Sequence, residues 1–203
     1  MILKANPDNP NIRNIRRAVE ALNDGGLVAY ATDTNYGLGC DIYNKHGMER
    51  ALTLKGYSKY HALSFLCADL SDISKYARVE TSVYKILKRC LPGAFTFILP
   101  ATREVPKLLL TKRKTVGLRV PDHPVAQVLL KEFGRPVLST SCTDRQGLEI
   151  NDPDLIQDEW GHEIDVVLDS GILVGEYSTI VDLTNPDQPE VLREGKGDVT
   201  LLG

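Results

Sequence analysis

The sequence lacks the features that mark secreted, membrane-spanning and metal-rich proteins. Its 203 residues contain no run of about eighteen apolar residues, and the first residues have neither an apolar stretch nor a cleavage site of small residues. The four cysteines, Cys40, Cys67, Cys90 and Cys142, are far apart and form no C-x-x-C pair. This pattern favours reduced thiols in a core over a zinc site or a disulfide scaffold. We therefore expect a cytoplasmic protein without a membrane segment.

The common phosphate-binding and nucleophile motifs are also missing. The chain has no G-x-x-x-x-G-K-[ST] loop, no G-x-G-x-x-G and no G-x-S-x-G elbow. The four histidines, His46, His61, His123 and His162, have no metal-ligand spacing, and we interpret each as structural. A bound nucleotide would therefore not use the common phosphate loops, and no metal site is predicted.

Positive charge is concentrated rather than abundant. Lysine and arginine number 24 against 27 acidic residues, so the net charge of -3 argues against a protein that coats nucleic acid indiscriminately. The basic residues cluster at Lys55 and Lys59, at Lys85, Lys88 and Arg89, and at residues 112–114. If these clusters converge in space they form a positive groove; alternatively, each is a solvated helix or loop face.

Helical and strand patterns alternate along the chain. An amphipathic helix is predicted after Asn11, which can cap it, and Gly25 and Gly26 end it before an apolar strand at 27–31. Further helices are predicted at 46–55, 70–77, 81–90 and 125–133, and strands at 62–67, 94–99, 115–120, 137–140, 166–168, 179–183 and 190–193. Residues 143–162 are polar and are predicted to be mobile. We expect one α/β domain over residues 1–203, with helices on a twisted, open, mixed sheet that is mostly parallel.

Polar residues follow several of the predicted strands. Thr32, Asp33 and Thr34 come after the first apolar strand, Arg119 lies near the end of another, and residues 139–141 close a third. Ligands of open α/β sheets bind at strand ends, so these groups can converge on one small molecule. The alternative is that the hydroxyls only satisfy backbone groups in turns.

Lys55 and Lys59 lie at or just beyond the end of the 46–55 helix. A lysine at a helix C-terminus is favoured by the helix dipole, which is one explanation for them. The functional explanation is that a basic, glycine-containing loop closes over phosphates and neutralises part of their charge.

Six segments resemble the YrdC-like family of threonylcarbamoyl-AMP synthases. They run in family order and are residues 25–40, 55–64, 92–96, 115–124, 139–141, and 178–184 with 192–193. The resemblance implies a twisted sheet around a concave basic cavity. It also implies a reaction that joins L-threonine, bicarbonate and ATP into threonylcarbamoyl-AMP for tRNA modification, with release of pyrophosphate.

The resemblance assigns ten residues to two ends of that cavity. The threonine or its carbamate would be bound by Thr32, Ser64, Arg119, Ser139 and Ser178. ATP would be bound by Lys55, Lys59, Thr115, Ser141 and Arg193, with Mg²⁺ bridging the phosphates. Arg119 would hold a carboxylate, and catalysis would come from positioning and charge neutralisation.

Two departures distinguish the chain from the synthases and resemble the YciO subgroup. Where the family has K-x-R, this chain has Lys55-Gly56-Tyr57, so tyrosine replaces the arginine. Where the family has S-x-N, this chain has Ser141-Cys142-Thr143, so threonine replaces the asparagine. Both changes fall at the nucleotide end and predict weak or altered synthase chemistry. Two alternatives stay open, namely a non-catalytic module that binds double-stranded RNA or tRNA and a hydrolase of a threonylcarbamoyl compound. Monomer and homodimer are both compatible with the sequence.

Overall fold

The computed structural model describes residues 1–56, 63–109 and 113–203. Within these ranges, ten strands form one mixed sheet, and six α-helices pack against it. The elements in chain order are β1 (Ile2–Lys4), α1 (Ile12–Asn23), β2 (Val28–Ala31), β3 (Tyr36–Asp41), α2 (Lys45–Leu54), β4 (Ser64–Leu66), α3 (Leu70–Tyr76), α4 (Thr81–Cys90), β5 (Phe95–Pro100), β6 (Thr115–Arg119), α5 (Pro124–Phe133), β7 (Val137–Ser141), α6 (Pro153–Trp160), β8 (Val166–Asp169), β9 (Thr179–Asp182) and β10 (Glu190–Arg193). Short 3-10 turns cover Lys107–Leu109 and Val199–Leu202.

The strands lie in the order β1-β8-β2-β3-β7-β4-β6-β5-β9-β10. The expectation of a mixed sheet is confirmed, but the expectation of a mostly parallel one is wrong. In the described part of the chain, five neighbouring strand pairs are antiparallel and four are parallel. The physical reason is clearest at β2 and β3, which a short turn connects, because a parallel pair needs a crossover of a dozen or more residues.

Helices cover both faces of the sheet. The apolar stripe of α1 (Ile15, Ala18 and Leu22) packs with α5 over β2 and β8 in one core cluster. Buried side chains of α2, α3, α4 and α6 form a larger cluster with the other strands. Each fully buried large aliphatic side chain contributes roughly 1.5–3 kcal/mol, so the two clusters hold the sheet rigid beneath the site.

The predicted helices are confirmed to within a residue or two at their ends. Asn11 caps α1 as expected, because its side chain accepts a hydrogen bond from the Asn14 backbone amide. Gly134 ends α5 in a left-handed conformation with φ of 72°. The predicted strand at 62–67 is shorter and runs from Ser64 to Leu66, while residue 62 lies outside the described residues.

Residues 143–162 contradict the prediction of a mobile stretch. Asp144 closes a tight turn by accepting hydrogen bonds at Oδ1 from the amides of Gln146 (2.9 Å) and Leu148 (2.8 Å). The helix α6 follows, with Asp152 as its N-cap and with Ile156 and Trp160 buried one turn apart. The segment is ordered because α6 buries Pro153, Ile156 and Trp160 on one face, although the overall composition of the segment is polar.

The strand β3 was missed because it contains Gly37 and Gly39, which are unfavourable in strands. The structure explains both glycines by the ring of Tyr30, which lies across them. A Cβ atom on Gly39 would lie 2.9 Å from that ring and 2.4 Å from Val137 Cγ1. The chain therefore places glycine where the buried Tyr30 and side chains of the neighbouring strand β7 approach closely.

The structure also bears on the expectations about membrane segments and cysteines. No helix in the described part of the chain combines the length and the apolar character that a membrane crossing needs. All four cysteines are free and buried, which confirms the expectation of core thiols.

Candidate functional site

A cavity of about 400 Å³ lies over the central strands of the sheet. Its floor contains small residues that face one another across the strands: Gly37 pairs with Ser141, Ser139 with Ser64, and Ser64 with Gly117. Because none of these side chains is larger than a hydroxymethyl group, the floor is deep and carries hydroxyls. A concave site with convergent polar groups is typical of a small-molecule site.

The structure brings together most of the residues that the sequence proposed. The predicted residues that line this cavity are Thr32, Ser64, Thr115, Arg119, Ser139, Ser141, Ser178 and Arg193. Lys55 reaches its edge from the end of α2, whereas Lys59 lies outside the described residues. The lining contains none of the α4 basic cluster formed by residues 85, 88 and 89. Residues as distant in sequence as Thr32 and Arg193 therefore line the same cavity.

Arg119 forms the buried, charged end of the cavity. Its side chain is only 9% exposed and donates to Asp33 Oδ1 (2.5 Å) and to Thr34 Oγ1 (2.7 Å). Its Nε atom is buried and has no hydrogen-bond partner among the described residues. Asp33 is held in turn by Lys196, whose ammonium donates to the Asp33 carbonyl oxygen at 2.6 Å. The arginine is thus fixed in place by its own chain and retains an unused donor.

The hydroxyls next to Arg119 serve the fold as well as the cavity. The Thr32 hydroxyl donates to the Asn35 carbonyl oxygen (2.6 Å), which closes the turn between β2 and β3. The hydroxyl of Tyr30, beneath the floor, donates to Ser139 Oγ at 2.9 Å, and burial raises the pKa of this tyrosine. The alternative that strand-end hydroxyls satisfy turns is therefore correct for Thr32, which nevertheless also lines the cavity.

Lys55 marks the opposite end. It caps α2, and its ammonium donates to the Ser141 carbonyl oxygen at 2.9 Å and to Thr143 Oγ1. Burial lowers the pKa of Lys55. Thr143 is itself anchored, because Trp160 Nε1 donates to its carbonyl oxygen at 2.7 Å. This threonine, which replaces the family's asparagine, therefore holds the lysine at the cavity wall.

Arg193 lies at the open side of the cavity on the edge strand β10. Its guanidinium donates to the carbonyl oxygen of Ser178 (2.9 Å) and to Ser178 Oγ (3.2 Å) and lies 4.8 Å from the centre of the Tyr177 ring. The Ser178 hydroxyl is also 3.0 Å from the Thr96 hydroxyl. Partial burial lowers the pKa of Arg193, and the side chain remains exposed enough to meet a ligand at the mouth.

Glu149 is a cavity residue that sequence reasoning missed. It is the one acidic side chain lining this cavity in the described part of the chain, and its Oε1 atom is buried without a hydrogen-bond partner there. Burial raises the pKa of Glu149, whereas Ser141, Arg193 and Lys55 act in the opposite direction. No sequence signal pointed to it, because it lies in the segment that was predicted to be mobile.

A larger concavity of about 1,030 Å³ adjoins the first and shares Thr143 and Gly147 with it, and Lys55 lines this larger concavity. Its charged groups are largely paired with one another. Arg50 contacts Asp165 (3.1 Å), and Arg145 contacts Glu159 and Glu163 while stacking on Trp160. Because its charges are balanced internally, it offers less to an anionic ligand than the smaller cavity does.

Comparison with known proteins identifies the family. A family model for Sua5, YciO and YrdC, described as telomere recombination, matches residues 20–195. The chain belongs to the Sua5/YciO/YrdC family. It is 43% identical to the uncharacterized protein YciO of Escherichia coli strain K12 over 196 residues, which cover 95% of this chain and 94% of that protein. It is 33% identical to a threonylcarbamoyl-AMP synthase of Vibrio vulnificus strain YJ016, over 91% of this chain and all of that protein.

Solved structures of the Sua5/YciO/YrdC family have the same fold. The crystal structure of E. coli YciO aligns with a TM-score of 0.93 at 41% identity, covering 100% of this chain and 98% of that one. The crystal structure of P. abyssi Sua5 complexed with L-threonine aligns with a TM-score of 0.87 at 26% identity, covering 96% of this chain and 57% of that chain. The expected fold, a mixed sheet with helices packed on it around a concave site, is confirmed.

Proposed function

We propose that this protein binds L-threonine or its carbamate at the Arg119 end of the cavity and an adenine nucleotide at the Lys55 end. The reaction would be that of a threonylcarbamoyl-AMP synthase, in which L-threonine, bicarbonate and ATP give threonylcarbamoyl-AMP and pyrophosphate, at a weak or altered rate. The observation that carries the proposal is one hydroxyl-lined cavity of about 400 Å³ that Arg119 and Arg193 line and whose edge Lys55 reaches through the Ser141 carbonyl oxygen. Relatives named threonylcarbamoyl-AMP synthase support the kind of activity.

The threonine end depends on Arg119. Arg119 lines the cavity with its guanidinium held by Asp33 and Thr34, and a carboxylate is the acceptor that a guanidinium binds most strongly. Thr32, Ser64, Ser139 and Ser178 would surround the rest of the amino acid with hydroxyls. The Sua5 structure complexed with L-threonine supports this choice of ligand.

The nucleotide end depends on Thr115, Ser141 and Arg193, which line the cavity, and on Lys55, which donates to the Ser141 carbonyl oxygen. A lysine and an arginine can neutralise part of a phosphate charge, and Lys59 would add to them. The described residues contain no group of three or more side chains able to hold a metal ion. Mg²⁺ would therefore arrive on the phosphates of ATP as part of the substrate and screen their charge while the carbamate oxygen is positioned.

The central test measures L-threonine binding by calorimetry in the wild type and in Arg119→Lys. The lysine keeps the positive charge but cannot present the planar set of donors. We expect binding to weaken roughly 30-fold, corresponding to about 2 kcal/mol for a lost charge-assisted contact. Mass spectrometry of a reaction with threonine, labelled bicarbonate and ATP would detect threonylcarbamoyl-AMP.

The matched control is Arg135→Lys. Arg135 forms a similar pair with buried Asp41 (2.7 Å) but does not line the cavity, so its variant should bind threonine like the wild type. Unchanged threonine affinity in Arg119→Lys would contradict the carboxylate role. If tRNA bound instead of ATP, with an affinity that falls steeply with salt, the RNA-binding alternative would replace this proposal.

A further inference from the structure

The geometry points to Glu149 as a charge-selectivity residue that makes the nucleotide end favour an adenylate with a single phosphate over ATP. This inference rests on the proposed function and specifies its substrate class. A carboxylate at the mouth of a phosphate site opposes bound negative charge, and it opposes a triphosphate more than a monophosphate. Its position among Lys55, Ser141 and Arg193 is what gives it that effect.

The fold holds Glu149 firmly at that place. Thr143 and Glu149 form an antiparallel bridge, and the turn between them is closed by the hydrogen bonds to Asp144 Oδ1 and by Gly147, whose φ is 88°. Beyond the bridge, the Ile150 amide donates to the Cys142 carbonyl oxygen at 3.0 Å. Thr143 contacts the Lys55 ammonium, and the bridge puts the Glu149 side chain on the same face as that of Thr143, where the Lys55 and Glu149 charges influence each other.

The charges at this end are then easily counted. Lys55 and Arg193 are both close enough to Glu149 to influence its ionisation, and its carboxylate is the acidic group that lines the cavity in the described part of the chain. Among the described residues, one of the two positive charges at this end is therefore offset before any ligand binds. The positive charge that remains suits a ligand with one phosphate. Each further phosphate brings more negative charge towards the Glu149 carboxylate, whose Oε1 has no hydrogen-bond partner among the described residues.

The test compares the binding of AMP, ADP and ATP to the wild type and to Glu149→Gln, by calorimetry at pH 7.5 in EDTA and low salt. These ligands carry about two, three and four negative charges. The substitution keeps the shape and removes the charge. We expect it to strengthen ATP binding on the order of three- to tenfold more than AMP binding, and we expect this difference to shrink at high salt.

Two further variants exclude a merely structural effect. Glu149→Asp retains the charge and should keep the wild-type preference for AMP. Glu132→Gln removes the same charge from an exposed residue that pairs with Arg16 and lines neither cavity, and it should leave all three affinities unchanged. Thermal melting of each variant reports whether the fold is intact.

The outcomes separate this inference from the proposed function. Equal changes in AMP and ATP affinity in Glu149→Gln would overturn the inference and leave the proposed function standing. In a parallel titration with MgATP and without EDTA, weaker binding to Glu149→Gln than to the wild type would overturn it as well, since it would make Glu149 a ligand of the bound Mg²⁺. If none of the three nucleotides bound to the wild type or the variant, the proposed function itself would fail.

Discussion

Arg119 shows what a single position in a sequence can and cannot reveal. Its place near a strand end indicated an anion site, and the structure places it in the cavity. The sequence did not reveal that Asp33, 86 positions away, already pairs with it. Removing one partner of a buried ion pair costs about 3–5 kcal/mol, so Arg119→Ala would damage the fold as well as the site. Arg119→Lys is for that reason the sharper probe of ligand binding.

Two further residues account for the expected weakness of the synthase reaction. Changing Tyr57 to arginine and Thr143 to asparagine restores a guanidinium and an amide at the nucleotide end. We expect the double variant to form threonylcarbamoyl-AMP roughly tenfold faster, because an arginine can contact a phosphate with two parallel hydrogen bonds. The rate of labelled bicarbonate incorporation measures this directly.

The matched control for that variant is Tyr57→Phe with Thr143→Ser, which changes both positions without adding a phosphate ligand. Its rate should stay at or below that of the wild type. No gain in the arginine and asparagine variant would mean that other residues set the rate. Tyr57 lies outside the described residues, so this prediction rests on its place in the sequence.

At the scale of elements, the turn from Asp144 to Leu148 is the clearest connection between fold and site. Its backbone amides are held by one carboxylate, and it sets Thr143 and Glu149 opposite each other. Asp144→Ala should lower the free energy of unfolding by about 1 kcal/mol, since two amides lose their acceptor, and it should weaken AMP binding, since Thr143 would hold Lys55 less firmly. Chemical denaturation and calorimetry measure the two effects.

Asp144→Asn is the control, because an amide oxygen can accept the same two hydrogen bonds. It should retain most of the stability and of the nucleotide affinity. A fully stable Asp144→Ala variant with unchanged binding would show that the turn does not depend on its capping side chain.

Helices and strands could be predicted where a single pattern of apolar residues dominates a segment of the sequence. The apolar stripe and cap of α1 gave its bounds, and the run from Val28 to Ala31 gave a buried strand. The helix α6 has only Ile156 and Trp160 to reveal it within a polar segment, and β3 is interrupted by glycines that only a tertiary contact explains. In both cases a long-range contact decides the structure, and such contacts leave little local signal.

At the scale of the whole molecule, the family resemblance predicted the sheet and the cavity, whereas the parallel bias expected from alternating elements was wrong. The strand order places β7 between β3 and β4 and places β8 beside both β1 and β2. No periodicity within a strand specifies these neighbours. The gathering of Thr32, Arg119 and Arg193 could therefore be anticipated only from motifs that run in family order.

The burial of all four cysteines gives a prediction about the intact protein. Burial raises the pKa of Cys40 and of Cys142 to about 12 and also raises the pKa of Cys67 and Cys90. Because the thiolate is the reactive form, the native protein at pH 8 should react with a thiol reagent very slowly. After denaturation all four thiols should react. Rapid modification of any cysteine in the native state would contradict the packing described above.

The contact between Lys196 and Asp33 joins residues that are 163 positions apart in the chain. During synthesis, the cavity residues between Thr32 and Gly37 leave the ribosome long before β10 and Lys196 have been translated. A nascent chain that has only reached β9 lacks Arg193 as well as the lysine that holds the turn carrying Asp33. If the cavity binds threonine and a nucleotide as proposed, capture of either ligand would wait until translation has passed this last contact.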